Sequence, residues 1–357
     1  MAFNGSPTIG RVSGIPIQLH WTFILLLIVS LISPIFFLYI LLLFSFVTIH
    51  ELAHSITAKR NNIPVKRIIL YPLGGGSVID VSKGTPELEL KIALVGPLSN
   101  FFMGGLLGIG AILVPSGAAH IIFQLLFLVN ILLGVLNIIP AFPLDGSRVL
   151  RSYLERKSDE HTATIKVARL SNMIAWTSML LGILFLFIGS YTETYRVLLA
   201  FSFFIVAIYI YSGSQSEVYT SYINGVADKL RLSDVITDRY MRVSPKTRLE
   251  RIYENLMRDH TRPILCKSGS RYLFIMNIPT NIIRIKRGEL SKMRISDFGV
   301  ELPSISSKAS VREIMGEMEL EGSPAIVILD RGRVAGLVLR DKLSYVIASH
   351  AGRLDHK

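Results

Sequence analysis

The longest charge-free stretch of the chain sets the first limit on its fold. Between Ile17 and Ile49 there is no Asp, Glu, Lys or Arg, and the stretch exceeds the roughly 20 apolar residues that span a bilayer. It is also too long, and begins too late, for a cleaved signal peptide, so we expect it to remain in the protein. Although 50% of the 357 residues are hydrophobic, that fraction decides little. Their clustering indicates an integral membrane protein.

Hydropathy and segment length predict a polytopic α-helical membrane protein with about six transmembrane helices. Two segments lie between residues 17 and 59, with a break at Ser33-Pro34, and the others cover about residues 88–114, 119–140, 167–189 and 197–213. Basic residues follow the second and fourth segments, whereas the opposite connections hold almost no Lys or Arg. The positive-inside rule places the N-terminus, loops 59–87 and 150–166, and the C-terminal region in the cytoplasm of a multi-pass cell-membrane protein.

The net charge of +12 fits this topology, because basic residues flank membrane helices on the cytoplasmic side. In a soluble protein such an excess would suggest a nucleic-acid partner. No nucleic-acid-binding motif accompanies it here, so we expect the lipid bilayer and no nucleic acid as a partner. Cys266 is the single cysteine, which excludes an internal disulfide and a Cys-based metal site.

Two regions outside the segments predict β structure. Residues 65–70 and 77–81 are β-rich and are separated by Gly74-Gly75-Gly76, which predicts a small membrane-associated strand pair. From about residue 232, short strands alternate with amphipathic helices in two copies of a unit of roughly 60 residues. We therefore divide the chain into a six-helix membrane domain (1–214), a linker (215–231) and two cytosolic α/β units (232–290 and 291–357).

The strongest chemical signal is the sequence His50-Glu51-Leu52-Ala53-His54 at the end of the second segment. Residues four apart lie on one face of a helix, so both imidazoles can bind one zinc ion. Glu51 can then act as general base toward a water molecule at the metal. Ionisable residues near a bilayer are costly unless they are partnered. The alternative is an interfacial helix end whose His and Glu side chains face lipid headgroups.

A catalytic zinc site usually has three protein ligands. Asp145 follows the fourth segment, and by the charge argument the second and fourth segments end on the same side, so Asp145 is the predicted third ligand. Without the histidine pair it would be interpreted as a turn or helix cap. Asn137, also near this end, is a candidate donor to the developing oxyanion, with an interhelical hydrogen bond as the alternative. His20, distant in sequence, is expected not to bind the metal.

Together, His50-Glu51-Leu52-Ala53-His54 and residues 137–146 (Asn-Ile-Ile-Pro-Ala-Phe-Pro-Leu-Asp-Gly) resemble the two signature motifs of the site-2 protease family of intramembrane metalloproteases. Residues 14–23, 73–76 and 96–100 resemble further family segments, and the likeness covers about residues 10–155. The resemblance implies one Zn²⁺ bound by His50, His54 and Asp145, with Glu51 as base, and hydrolysis of a peptide bond in a transmembrane protein substrate. Because a helix hides its peptide bonds, the substrate must unwind, and Gly74–Gly76 is a candidate edge for it to pair with.

The two C-terminal units resemble a tandem of CBS domains, through the segment 232–237 and the strand 334–339. Such pairs often bind adenine nucleotides through Thr or Ser followed three residues later by Asp. Here those positions hold Leu339 and Lys342, and residues 274–281 contain no Asp. We therefore expect the pair to be regulatory, structural or dimerising, giving a homodimer, with nucleotide binding as the alternative.

Two other functions compete with a zinc metalloendopeptidase of the HExxH type that performs regulated intramembrane proteolysis. A transporter gated by the CBS-like pair is disfavoured, because the sequence predicts no charged residue or unwound helix pair at the bilayer midplane. A proteolytically silent scaffold that keeps zinc for structure is disfavoured because a structural site does not need the base Glu51. The Glu51→Gln variant separates protease from scaffold.

Overall fold

The computed structural model describes residues 6–79, 84–114, 116–187, 193–248, 263–275 and 299–354, together with the single residues 250 and 294. The chain divides into two compact units, Met1–Tyr222 and Ile223–Lys357. The first unit has buried apolar clusters around Phe44 and Phe142, and the second has one around Leu265. Each unit thus has its own core.

Helices dominate the first unit. They are α1 Trp21–Ser30, α2 Pro34–Arg60, α3 Pro86–Leu113, α4 Ala118–Ile138, α5 Asp145–Glu155, α6 Glu160–Phe187 and α7 Glu193–Ala227, which continues into the second unit. Within the described ranges, five helices are long and apolar enough to cross a membrane, namely α2, α3, α4, α6 and α7. The first predicted segment corresponds to α1, which has only 10 residues. It is short because Ile17 to Leu19, at the start of the charge-free run, form a strand instead.

Ser-Pro and Thr-Pro pairs start the two helices that carry most of the site. The side chain of Ser33 accepts a hydrogen bond from the backbone N–H of Phe36 at 3.4 Å, and Thr85 accepts one from Leu88 at 3.3 Å. In both cases Pro occupies the first helical position, where its missing N–H costs nothing. The predicted break at Ser33-Pro34 is therefore confirmed.

A four-stranded sheet lies at one end of α2. Its strands are β1 Thr8–Val12, β2 Ile15–Leu19, β3 Val65–Tyr71 and β4 Gly74–Ile79, in the order β1-β2-β3-β4. The predicted strand pair is confirmed as β3 and β4, which are antiparallel, but Gly74 to Gly76 belong to β4 and do not separate the strands. Val81 lies outside the described residues. β1 and β2 were not predicted.

The sheet also fixes the relative position of two segments. β2, which precedes α1, pairs in parallel with β3, which follows α2. The N-terminal segment and the loop after α2 therefore lie at the same end of α2, as the distribution of basic residues predicted. His20 connects β2 to α1, where its Nδ1 atom accepts a hydrogen bond from the backbone N–H of Thr22 at 3.4 Å. The prediction that His20 is not a ligand is consistent with this capping role.

The predicted linker 215–231 is largely helical, because α7 continues unbroken to Ala227. The last predicted segment ended at about residue 213, but in the structure the small residues there allow close packing. A Cβ atom at Gly213 would lie 2.6 Å from Cδ of Pro143, and the buried hydroxyl of Ser214 donates to the carbonyl of Ala168 at 3.3 Å. A short side chain therefore marks a helix contact here and not a chain break.

A buried ion cluster fixes the orientation of α5. Arg151 on α5 bonds Glu89 on α3, and its guanidinium lies 3.3 Å from Glu217 on α7 and 3.4 Å from Glu155 on its own helix. Burial alone would lower the pKa of Arg151, but the nearby carboxylates raise it above its ordinary value. A paired buried charge of this kind is costly to break, so the cluster holds the helix whose first residue is Asp145.

The second unit contains the predicted twofold repeat. Its elements are α8 Leu232–Val235, β5 Ile236–Thr237, β6 Met241–Val243, β7 Ile264–Ser268, β8 Arg271–Ile275, β9 Val300–Leu302, β10 Ser304–Ser306, α9 Val311–Glu321, β11 Ala325–Asp330, β12 Arg333–Leu339 and α10 Arg340–Leu354. The sheets have the orders β6-β7-β8-β9 and β10-β11-β12-β5. Strand β5 of the first repeat joins the sheet of the second, and β9 of the second joins the sheet of the first. The predicted boundary at residue 290 therefore does not separate two independent sheets. The helix predicted at 249–258 lies outside the described residues, apart from residue 250.

Candidate metal centre

Three predicted ligand atoms meet inside the first unit. Nε2 of His50 and Nε2 of His54 lie 3.1 Å apart, and they lie 3.0 and 3.1 Å from Oδ2 of Asp145. In the described part of the chain, these three residues form the group of His, Cys, Asp and Glu side chains that is arranged to hold a metal ion. The structure therefore brings together the three residues that the sequence proposed as ligands.

The other ring nitrogens show which atoms are available to a metal. Nδ1 of His54 lies 2.7 Å from the carbonyl oxygen of Ile92, and Nδ1 of His50 lies 3.1 Å from Oδ1 of Asn100. Both partners are acceptors, so each Nδ1 carries the hydrogen and each neutral imidazole directs the lone pair of Nε2 inward. Two lone pairs and a carboxylate oxygen then face one another, which is favourable only around a cation or a shared proton.

The spacing of these atoms suits a small tetrahedral ion. Nitrogen and carboxylate ligands at about 2.0–2.1 Å from a tetrahedral Zn²⁺ are separated by about 3.3 Å. The observed separations are 3.0 to 3.1 Å, so only small shifts are needed. Two imidazoles and one carboxylate are also the donor set of many catalytic zinc sites, which keep a fourth position open. The residues present therefore fit zinc.

Asp145 reaches the histidines from the first turn of α5. The turn before it is tight, since a Cβ atom on Gly146 would lie 2.1 Å from the carbonyl oxygen of Ile138. Burial alone would raise the pKa of the Asp145 carboxyl, but when His50 and His54 share a proton in place of a metal ion, their hydrogen bonds and charge hold that pKa well below its ordinary value. The carboxylate therefore stays ionised, as a metal ligand must.

Gly96 on α3 lies against both histidines. A Cβ atom there would lie 2.2 Å from Nε2 of His54 and 2.7 Å from Cε1 of His50. Gly96 therefore lets α3 pack directly against both imidazoles. Asn100, one turn further on, is buried and bonds His50. Gly96 and Asn100 lie in the stretch 96–100, which resembles a family segment. Their residue types alone did not predict that they contact His50 and His54.

Glu51 lies beside this trio on the β4 side. Its carboxylate oxygen Oε2 accepts a hydrogen bond of 2.6 Å from the hydroxyl of Ser77. A Cβ atom on Gly75 would lie 2.5 Å from Cγ of Glu51, so the backbone of β4 touches the stem of this side chain. Ser77 was not singled out in the sequence, because the contact depends on a strand crossing a helix.

A cavity of about 400 Å³ opens at the metal centre. Its lining includes His50, Glu51, Asp145, the candidate donor Asn137, and Tyr209 of α7, among mostly apolar side chains. The amide nitrogen of Asn137 donates to the carbonyl of Leu133 in its own helix at 3.0 Å, so this bond is intrahelical and not the interhelical bond that the sequence left open as the alternative. A second amide hydrogen remains available to a ligand. Tyr209 was not predicted, because nothing in α7 marks it from the sequence.

Comparisons with known proteins show what this chain is similar to. Residues 38–118 and 103–182 match the model of peptidase family M50. A zinc metalloprotease of Methanocaldococcus jannaschii is 27% identical over 342 residues, which cover 94% of this chain and 94% of that protein. The solved structure of a site-2 protease from Methanocaldococcus jannaschii is 32% identical, with a TM-score of 0.45, and the match covers 60% of this chain and 95% of that one.

The C-terminal unit has more distant structural neighbours. One is a hemolysin-like protein containing a CBS domain from Oenococcus oeni, with 16% identity and a TM-score of 0.30. The match covers 36% of this chain and 97% of that one.

Proposed function

This chain belongs to peptidase family M50, and from that premise we propose that His50, His54, Asp145 and Glu51 form the active site of an intramembrane zinc metalloprotease that hydrolyses peptide bonds of transmembrane substrates. The observation that carries the proposal is the convergence of three ligand atoms within 3.0 to 3.1 Å of one another beside a carboxylate and a cavity. In the described ranges, five helices are long and apolar enough to cross a membrane, and one of them, α2, carries His50 and His54. The substrate therefore reaches the site from the bilayer.

His50, His54 and Asp145 would hold the zinc ion, and Asn100 and the carbonyl of Ile92 keep both imidazoles in the binding tautomer. When bound, zinc supplies a Lewis acid that polarises the scissile carbonyl and brings the pKa of a water molecule to about 7. Glu51 accepts the proton of the attacking water and returns it to the leaving amine nitrogen. The second amide hydrogen of Asn137, which lines the cavity, donates to the oxyanion.

The experiment that tests this proposal uses the purified full chain in detergent with a single-span model substrate. We expect cleavage that a zinc chelator removes and that added Zn²⁺ restores, with one zinc ion bound per chain. Cleavage that persists after the metal has been removed, or tight zinc binding with no cleavage of any transmembrane substrate tried, would contradict the assignment.

We propose that an unwound substrate segment pairs with the outer edge of β4, the last strand of its sheet. The carbonyl of Leu70 on β3 accepts a hydrogen bond from the backbone N–H of His20 at 3.0 Å, so the backbone groups of Leu70 point toward β2. Because backbone direction alternates along a strand, Ile69 and Tyr71 point toward β4. Their partners are Gly76 and Gly74.

It follows that Gly75 and Ser77 direct their backbone N–H and C=O groups to the outer edge of β4, which no other described strand covers. These are also the two β4 residues that contact Glu51. A strand added at this edge places its peptide bonds beside the base, as strand addition does in other peptide-binding proteins.

Strand pairing makes a prediction that depends on residue parity. Peptides that span the cleavage site and inhibit the protease are expected to lose about tenfold in affinity when alternate backbone nitrogens that face β4 are N-methylated. Methylation of the intervening nitrogens, which face away, serves as the matched control and should change affinity by less than about twofold. The inhibition constants of the two peptide series decide the matter, and equal effects in both would rule out pairing at this edge.

We propose that the sheet and the ends of α2 and α5 lie on the cytoplasmic side. The support is that Lys59 and Arg60 occupy the last turn of α2, which ends at the sheet. A cysteine introduced at the exposed position Thr8 should stay unlabelled by a membrane-impermeant maleimide in intact cells and become labelled when the membrane is opened. Labelling in intact cells would show that the sheet lies on the outer side of the membrane.

For the C-terminal pair we propose a regulatory or dimerising role without a specific nucleotide. Lys342 occupies the position of the carboxylate that would bind ribose, and its ammonium donates to the carbonyl of Ile236. A cavity in this unit does carry Arg242, Lys267 and Arg333. It offers charge for phosphates, but its described lining contains no carboxylate for a ribose.

This arrangement predicts that the full chain does not distinguish a nucleotide from its phosphates. Titration calorimetry should give ATP and inorganic tripolyphosphate the same affinity within about twofold, because only the charge of the phosphates is recognised. ATP binding at least tenfold tighter than tripolyphosphate would show that a nucleoside site exists. The oligomeric state of the same preparation tests the dimerising role.

A further inference from the structure

We propose that Ser77 is the positioning residue of the catalytic base, with its hydroxyl holding Glu51 in place while its backbone faces the substrate edge. The proposal rests on the proposed function in that Glu51 is taken as the base. Three features of the described residues support it: a chain of hydrogen bonds that ends at Glu51, a steric contact of β4 with Glu51, and the alternating direction of the backbone groups along β4.

Two serine hydroxyls and the Glu51 carboxylate form a directed chain. The hydroxyl of Ser55, which is fully buried, donates to Oγ of Ser77 at 3.0 Å, and Ser77 donates to Oε2 of Glu51 at 2.6 Å. Because Ser55 fills an acceptor position on Ser77, the single hydroxyl hydrogen of Ser77 is turned toward Glu51. The carbonyl of Glu51 is a longer alternative at 3.3 Å. A short bond to an ionised carboxylate is of the strong kind.

The stem of Glu51 is held at a second point. A Cβ atom on Gly75 would lie 2.5 Å from Cγ and 3.0 Å from Cδ of Glu51, so only glycine lets β4 approach this closely. The side chain is thus confined between α2 and β4, with Oε2 engaged by Ser77. No other side chain in the described ranges has a hydrogen bond to this carboxylate, which leaves Oε1 for the attacking water.

Because side chains and backbone groups of a strand point in different directions, Ser77 can contact both the base Glu51 and the substrate. Its side chain faces Glu51, while its backbone groups face the outer edge of β4, at which we place the substrate strand. A substrate strand that pairs with β4 therefore forms backbone hydrogen bonds with Ser77, the same residue whose hydroxyl orients the base. Losing the hydroxyl should leave the backbone edge, and hence substrate binding, unchanged.

The test compares Ser77→Ala with Ser77→Thr, which keeps a hydroxyl, in the purified full chain. Ser45→Ala is the matched control, since Ser45 is exposed on the same helix α2 as the site and donates only to the carbonyl of Leu41. We expect Ser77→Ala to lower kcat by about 10- to 30-fold with KM within about twofold, as for loss of a charge-assisted hydrogen bond. Ser77→Thr should recover to within about threefold of the original, and Ser45→Ala should match the original chain.

A second measurement does not depend on turnover. The carboxylate stretching band of Glu51, identified in the infrared spectrum as the band that Glu51→Gln removes, should shift in Ser77→Ala and return in Ser77→Thr. Both variants should retain one zinc ion per chain and the unfolding temperature of the original. An unmoved band, a kcat within about twofold of the original, an effect confined to KM, or loss of zinc would each overturn the proposal. If the original chain cleaves nothing, the proposed function fails, and the band alone decides the role of Ser77.

Discussion

Replacing Glu51 by glutamine is expected to lower kcat by about 10²- to 10⁴-fold, the usual contribution of a general base, while one zinc ion remains bound per chain. The reason is that Glu51 is not one of the three converging ligands; its carboxylate lies with Ser77 instead. Glutamine has the same shape and its amide oxygen can still accept the hydroxyl hydrogen, so the local structure is preserved. Only the capacity to take up a proton is lost.

The measurement is single-turnover cleavage of the model substrate together with zinc content by elemental analysis. Asp145→Asn is the informative comparison, because it removes a ligand and should reduce zinc content as well as turnover. Retention of more than about a tenth of the cleavage rate in Glu51→Gln would show that another group acts as base. A loss of zinc from the same variant would make Glu51 a ligand and return the site to a structural interpretation.

The local pattern of the sequence was sufficient to predict which three side chains converge, but not what surrounds them. The spacing of His50 and His54 within one helix makes a shared face unavoidable, and the distribution of basic residues predicted that Asp145 lies at the same end of the helices. The contacts of Gly96, Asn100 and Ser77 arise where separate elements cross, so no periodicity of a single segment records them. A close approach of two backbones requires glycine, but the sequence does not say which glycine.

The fold shows the same division between local and non-local information. Helices α2, α3 and α4 appear close to where they were expected, whereas α7 continues through the predicted linker to Ala227. Helix α1 is shorter than a span because Ile17 to Leu19 pair with β3. Strand pairing between residues about 50 positions apart leaves no trace in local hydropathy. In the second unit, the repeat was visible, but the exchange of β5 and β9 between sheets depends on partners far along the chain.

Gly96→Ala is the second change for which we expect a very large effect, although the residue bears no functional group. A methyl group there would lie 2.2 Å from Nε2 of His54 and 2.7 Å from Cε1 of His50, well inside van der Waals contact. Both imidazoles must then move, and each is also tied through Nδ1 to Asn100 or to the carbonyl of Ile92. Zinc affinity should fall by about 10- to 100-fold, as it does when the support of a ligand is lost, and cleavage should fall with it.

Gly105→Ala is the matched control on the same helix, since nothing lies within 4 Å of a Cβ atom at that position. Alanine is favoured over glycine within a helix by about 1 kcal/mol, so this variant should bind zinc normally and unfold at the same or a slightly higher temperature. Competition with a zinc-binding dye measures the affinity of both variants. If Gly96→Ala bound zinc as tightly as Gly105→Ala, the imidazoles would have room to move away from α3. Contact with α3 would then not fix the geometry of the metal centre.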